Sequence, residues 1–161
     1  MVKEPDMVEL FNPAGLRMLE DRQGAIAYGY VAPRVLYARF VGCLSAELGL
    51  AFVDELDSVA GEVVSLAYFA DTSALREYHP RASARFKAFI IAQRQRFASI
   101  VMLTSAVRGG PAWQALSEAA GDAAELVYEP LEFERALCNV ATFPHRAIKD
   151  WAHVWQLHSP R

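Results

Sequence analysis

The stretch from Val63 to Leu75, VVSLAYFADTSAL, constrains the fold more than any other part of the chain. Its first half is short and almost wholly apolar. That is the pattern of a strand covered on both faces, inside a sheet with helices packed on it. At Asp71-Thr72-Ser73 the run meets side chains that bond to nearby backbone and break regular structure, so the strand is expected to end there in a polar turn. Open α/β sheets place their sites at the carboxyl ends of central strands. Asp71, Thr72 and Ser73 are therefore candidate binding residues, with an ordinary strand-to-helix turn as the plainer alternative.

The flanking sequence supplies the rest of a sheet. AIAYGYV (Ala25 to Val31) and VLYARFVG (Val35 to Gly42) are rich in residues that fit a pleated surface, and Ala32-Pro33-Arg34 joins them as a hairpin or a tight bend. Ser45 is placed to cap a helix that carries Glu47 in its first turn and buries Leu48, Phe52, Leu56 and Val59; Asp54, Glu55, Asp57 and Glu62 fall mainly on its outer side. Pro80 suits the first position of a second helix, expected to run to about Phe97 and to bury Ala82, Phe86, Phe89, Ile90 and Phe97. ASIVMLTS (Ala98 to Ser105) reads as another buried strand, and Gly109-Gly110-Pro111 as a turn into a helix burying Ala112, Leu116 and Ala119, with Trp113 either extending that face or at its edge. Glu125 to Tyr128 forms a short last strand. Leu131 to Val140 forms a last helix, with Glu132 and Glu134 near its amino end where the helix dipole favours them.

This alternation specifies an α/β fold: a mixed, mostly parallel sheet of four to five strands with helices packed against it. Residues 1–23 are expected to be an amino-terminal extension in which Leu10, Phe11, Leu16, Met18 and Leu19 could form a short docking helix or strand. Residues 24–141 form the α/β domain. Residues 142–161 form a carboxyl-terminal amphipathic helix, with Ile148, Trp151, Val154 and Trp155 at spacings of three and four. Trp151 and Trp155 are expected to be buried by protein, either back on the domain or against a second copy or partner, where Trp is a favoured anchor.

Composition narrows the function classes. A chain of 161 residues, 53% hydrophobic, can bury a core without staples. The net charge of -3 and the lack of a sustained basic run argue against nucleic acid. No apolar run approaches the ~20 residues that span a bilayer, and the first residues lack an apolar signal core, so a cytoplasmic location is expected. Cys43 and Cys138 then read as free thiols. The four histidines form no metal-ligand spacing, and there is no GxSxG, GxGxxG or P-loop pattern, so no metal, cofactor or catalysis is expected. Cys43, His79 and Asp71 are the one nucleophile set the fold could bring together. The basic residues of the second helix, Arg81 and Arg85 among them, could face an anionic protein surface or lipid head group. Arg108 and the amides of the glycine turn beside it could hold an anion.

Asp71-Thr72-Ser73-Ala74-Leu75 is similar to the D-[LV]-S-G-[VL] pattern of the STAS domain, and VYEPLEFERAL (Val127 to Leu137) to that family's last strand and the start of its last helix. With the order of elements, residues 24–141 resemble the fold of bacterial anti-sigma-factor antagonists and of stressosome and transporter-associated modules. A STAS-like or Sec14-like group shares that fold without the signalling motif. The resemblance implies a regulatory, non-catalytic module that engages a protein partner, with homodimerisation open. In phosphoswitch members a D-S-[ST]-G-L motif opens the next helix. Here His79-Pro80-Arg81 stands in its place, and the nearest hydroxyl is Ser83, so the usual phosphoserine switch is not expected. The alternative is a small-molecule or lipid-binding module using an apolar groove between helices and sheet.

Overall fold

A computed structural model describes residues 16–61, 63–105 and 110–141. Two strands open the chain, β1 (Leu16–Glu20) and β2 (Gly24–Ala32), followed by β3 (Val35–Leu44) and helix α1 (Ala46–Ala60). Then come β4 (Leu66–Tyr78), α2 (Pro80–Ala92), a 3-10 turn (Arg94–Arg96) and β5 (Phe97–Leu103). The chain continues through α3 (Gly110–Ala120), a second 3-10 turn (Gly121–Ala123), β6 (Ala124–Val127) and α4 (Pro130–Ala141).

The strands form one six-stranded sheet in sequential order. β1, β2 and β3 are antiparallel neighbours, and β3 to β6 run parallel. The sheet is mixed and mostly parallel, as the alternation predicts, but has six strands rather than four to five. The additional one is β1, whose Met18 pairs with Ala27. Its five residues alternate too little in polarity to announce a strand; β2 recruits them as an edge. The hairpin between β2 and β3 turns at Pro33 and Arg34, with Arg34 in the left-handed region at φ 62°.

Strand alternation divides the interior into two cores. On one face Tyr28, Leu36, Phe40 and Tyr68 pack under α1, α2 and α3, which contribute Leu48, Phe52, Leu56, Phe86, Phe89, Ile90 and Leu116. Phe52 meets Tyr28 and Phe40 edge-on, with ring centroids 5.7 and 5.1 Å apart. On the other face Val35, Tyr37, Phe69, Val101 and Leu103 pack with Phe133 and Leu137 of α4.

Two expected boundaries move. β4 does not end at Asp71 but continues to Tyr78, because its polar side chains find partners across the sheet. α2 stops at Ala92, and Phe97 is the first residue of β5. Phe97 still reaches the same core, against Phe89 and Tyr68. Its place in the helical spacing was genuine as a signal of burial and misleading as a signal of helix.

Candidate functional site

Asp71 and Arg39 face each other on β4 and β3, 3.4 Å apart and each 1% exposed. The Asp71 carboxylate also accepts bonds from the Ser73 amide at 2.9 Å and the Ser73 hydroxyl at 2.6 Å. Thr72 donates to the Leu103 carbonyl at 2.8 Å, and Ser105 donates to the Ser73 carbonyl at 2.8 Å. The expected polar turn is thus a clasp inside the sheet, tying β3, β4 and β5 together. Asp71 and Thr72 are buried and unavailable to a partner. Arg39, the residue that makes Asp71 tolerable there, is visible in the sequence as a single charge within VLYARFVG.

Further along the same strands the surface opens. A cleft of about 690 Å³ lies at the carboxyl ends of β3 and β4, lined by Gln23, Cys43, Ser45, Glu47, Arg76, Glu77, Tyr78, His79 and Arg81 among others. The parallel register sets Cys43 beside Glu77 and Leu44 beside Tyr78, and the His79 amide donates to the Leu44 carbonyl at 2.9 Å. Two helices begin at this rim. Ser45 caps α1 by accepting from the Leu48 amide at 3.1 Å, and His79 Nδ1 caps α2 by accepting from the Arg81 amide at 3.1 Å. Pro80 occupies the first turn of α2, as its missing donor allows.

The opposite wall of the cleft is held by Asp21. It accepts from the Ser45 hydroxyl at 2.7 Å and from the amides of Gln23 and Gly24 at 2.8 and 3.0 Å. The Ser45 bond, then the Gln23 amide, hold its carboxyl below the usual carboxylate range. Gly24 and Gly42 let the two chain segments cross. A Cβ on Gly24 would stand 2.5 Å from the Cys43 carbonyl oxygen, and one on Gly42 would stand 2.4 Å from the Gln23 oxygen.

Of the candidate residues, His79 and Arg81 meet in this cleft, joined by Arg76, which sequence reasoning did not single out. Among the described residues neither Arg76 nor Arg81 enters an ion pair, so both guanidinium groups face the solvent of the cleft. Arg85 lies outside the cleft and reaches Asp54 of α1 at 3.7 Å. Two other basic residues of α2 and its end are similarly engaged, Lys87 with Glu118 and Arg96 with the Gly61 carbonyl. Cys43 and His79 share the cleft, but Asp71 is inside the sheet, so the Cys-His-Asp set does not assemble. Arg108, Trp151 and Trp155 lie outside the described residues.

Glu134 lies near the amino end of α4, as expected, but is buried there. Its carboxyl is 1% exposed, and neither oxygen has a hydrogen-bond partner among the described residues. Burial pushes its pKa up to about 7. One turn on, burial and then the Glu134 charge raise that of Cys138. Cys43 and Cys138 are separate thiols.

No family model matches the chain, and no curated protein matches its sequence. In three dimensions it is similar to an uncharacterized protein of the DUF3478 family with a SpoIIAA-like fold, from Shewanella loihica PV-4. The TM-score is 0.54 at 11% identity, over 76% of this chain and 92% of that one. The fold is therefore SpoIIAA-like, which is to say STAS-like. No helix among the described residues is long and apolar enough to cross a membrane.

Proposed function

We propose that this chain is a non-catalytic, cytoplasmic regulatory module that binds a protein partner at the cleft formed by the ends of β3 and β4 and the start of α2, without a phosphoserine switch. The observation that carries this reading is the start of α2 itself. His79 is committed to capping, Pro80 fills the first turn, and Arg81 presents an exposed positive charge where a switch would present a hydroxyl. Ser83 follows within the first turn and is half-buried. Arg76 and Arg81 beside Glu47 and Glu77 make a mixed-charge rim of the kind that sets orientation and partner choice in protein association.

The test compares the protein with Arg76→Glu/Arg81→Glu and with Ser83→Ala in affinity purification from its own host. A protein retained by the parent and by Ser83→Ala, and lost with the charge reversal, is the expected result. Retention that depends on Ser83, or that disappears on incubation with a host kinase, overturns the switch-free reading. Retention indifferent to the charge reversal moves the partner away from the cleft.

A second reading is a small-ligand module. The volume of the cleft favours it, and its lining of Arg76, Arg81, Glu47 and Glu77 suits a polar ligand better than an apolar one. Native mass spectrometry of freshly purified protein separates the two, since only the second predicts a co-purified small molecule.

A further inference from the structure

Tyr78 and Pro80 line two hollows at once. One is the cleft at the ends of β3 and β4. The other is a notch of about 430 Å³ between α2 and α3. The cleft therefore continues past Pro80 into the notch, and the two make one furrow. Ala84 of α2 and Ala115 of α3 line the notch, and such small side chains leave its middle open. Ser83 and Gln114 give it polar edges. At its far end Lys87 pairs with Glu118 and so joins α2 to α3. That ion pair bounds the notch. Pro80 and Lys87 stand about 10 Å apart along the axis of α2, or about two turns. This is too short a seat for a partner helix laid along it, but it holds one large side chain. Apolar walls with a few polar groups at the edge are the make-up of a specificity pocket.

We propose, resting on the cleft as the place where a protein partner binds, that the partner enters as an extended polypeptide segment, with a polar side chain beside Arg81 in the cleft and a bulky apolar side chain in the notch. From Arg81 to the middle of the notch is about 7 Å along α2. That is the spacing of residues i and i+2, which share one side of an extended chain. One short segment therefore reaches both hollows with alternate side chains. Between the hollows lies Tyr78, half-buried at the end of β4, where the segment's backbone crosses it. Tyr and Arg are the residues that most often anchor an interface, and Arg81 is exposed and outside any ion pair among the described residues. The polar half fixes orientation, and burial of the apolar half supplies affinity.

Selection of random heptapeptides displayed on phage, with the full chain as bait, tests it. Enriched sequences should share a bulky apolar residue two positions from a polar one. An enriched peptide is then titrated by fluorescence polarisation. Ala84→Phe, which fills the notch from an exposed position, should raise its Kd at least tenfold, and so should Arg76→Glu/Arg81→Glu. Gln114→Trp blocks the notch from its other exposed edge and replaces Ala84→Phe should that variant fail to fold. Truncating the peptide's apolar residue to Ala should weaken binding to the parent and make no further difference to the blocked variant, since the two changes remove one contact. Peptides lost with the arginine reversal but indifferent to a blocked notch overturn the furrow and leave the cleft as the binding place. Peptides indifferent to the arginine reversal overturn both. A selection that enriches no common spacing overturns the extended segment.

Discussion

Arg39 and Asp71 are as buried as the aromatic residues beside them, Tyr37 and Phe69. Removing two charges from water carries a penalty of several kcal/mol per ion, roughly, which is offset only when both are well partnered. Here the offset comes from the mutual attraction and from the two Ser73 donors to Asp71. Asp71→Ala should therefore cost about 3–5 kcal/mol, because it removes the carboxylate that offsets the burial of the Arg39 charge. Urea denaturation reads this, and Arg39→Met/Asp71→Leu should recover most of the loss. If Asp71→Ala were nearly neutral, the clasp would not hold the sheet. The sequence shows each of these two charges inside an apolar run but not that they meet, since β3 and β4 are brought into register by everything between them. Propensity alone reads Asp-Thr-Ser as a break; tertiary hydrogen bonds decide otherwise.

Glu134 makes a different prediction at the same scale. Its carboxyl titrates at about 7 in the folded chain against 4.5 for an ordinary glutamate in water. Between those values the folded chain holds a proton that the unfolded chain has released. Stability from this group is therefore complete below the lower value, falls as pH rises, and levels off above the upper one. Glu134→Gln should flatten that part of the profile, and the variant should gain on the parent above pH 7, measured as melting temperature against pH. A parallel pair of profiles would show that the carboxylate finds water or a cation. This residue was illegible in sequence: its position near a helix start suits an exposed acid, and only the packing of α4 buries it.

At the scale of elements, the cleft depends on how tightly the β1–β2 turn crosses the end of β3. Gly42 has φ 82°, and any Cβ there would collide with the Gln23 carbonyl oxygen. Gly42→Ala should cost about 1–3 kcal/mol from backbone strain, with a further loss from the displaced turn. A near-neutral result in thermal unfolding would mean the crossing relaxes freely. At α2, His79→Ala should cost about 0.5–2 kcal/mol by leaving the Arg81 amide without its cap. The starts of α1 and α2 were legible because caps and Pro80 act locally. The end of α2 was not, because Phe97 extends the helical spacing of Phe86, Phe89 and Ile90 while the backbone has already passed through Arg94–Arg96 into β5.

At the scale of the whole molecule, the two cores share the same strands. Leu36 and Tyr68 point into one, and their neighbours Tyr37 and Phe69 into the other. Each strand can therefore hold its place only while both faces are filled, which is why a near-continuous apolar run in the sequence could be read correctly as a doubly covered strand. The sixth strand escaped because an edge strand has one neighbour and a weaker pattern. The shared strands predict cooperative unfolding. Phe52→Ala under α1 and Phe133→Ala under α4 should each cost about 3–5 kcal/mol. Each variant should still unfold in one transition, with far-ultraviolet circular dichroism and tryptophan emission coincident, because neither core can dissolve without releasing β3 and β4 from the other. If Phe133→Ala instead produced two transitions, with the α4 face melting before the α1–α3 face, the sheet would be stable when covered on one side alone. The cover of the second face would then be a removable element, free to exchange with a partner while the rest of the fold stayed intact.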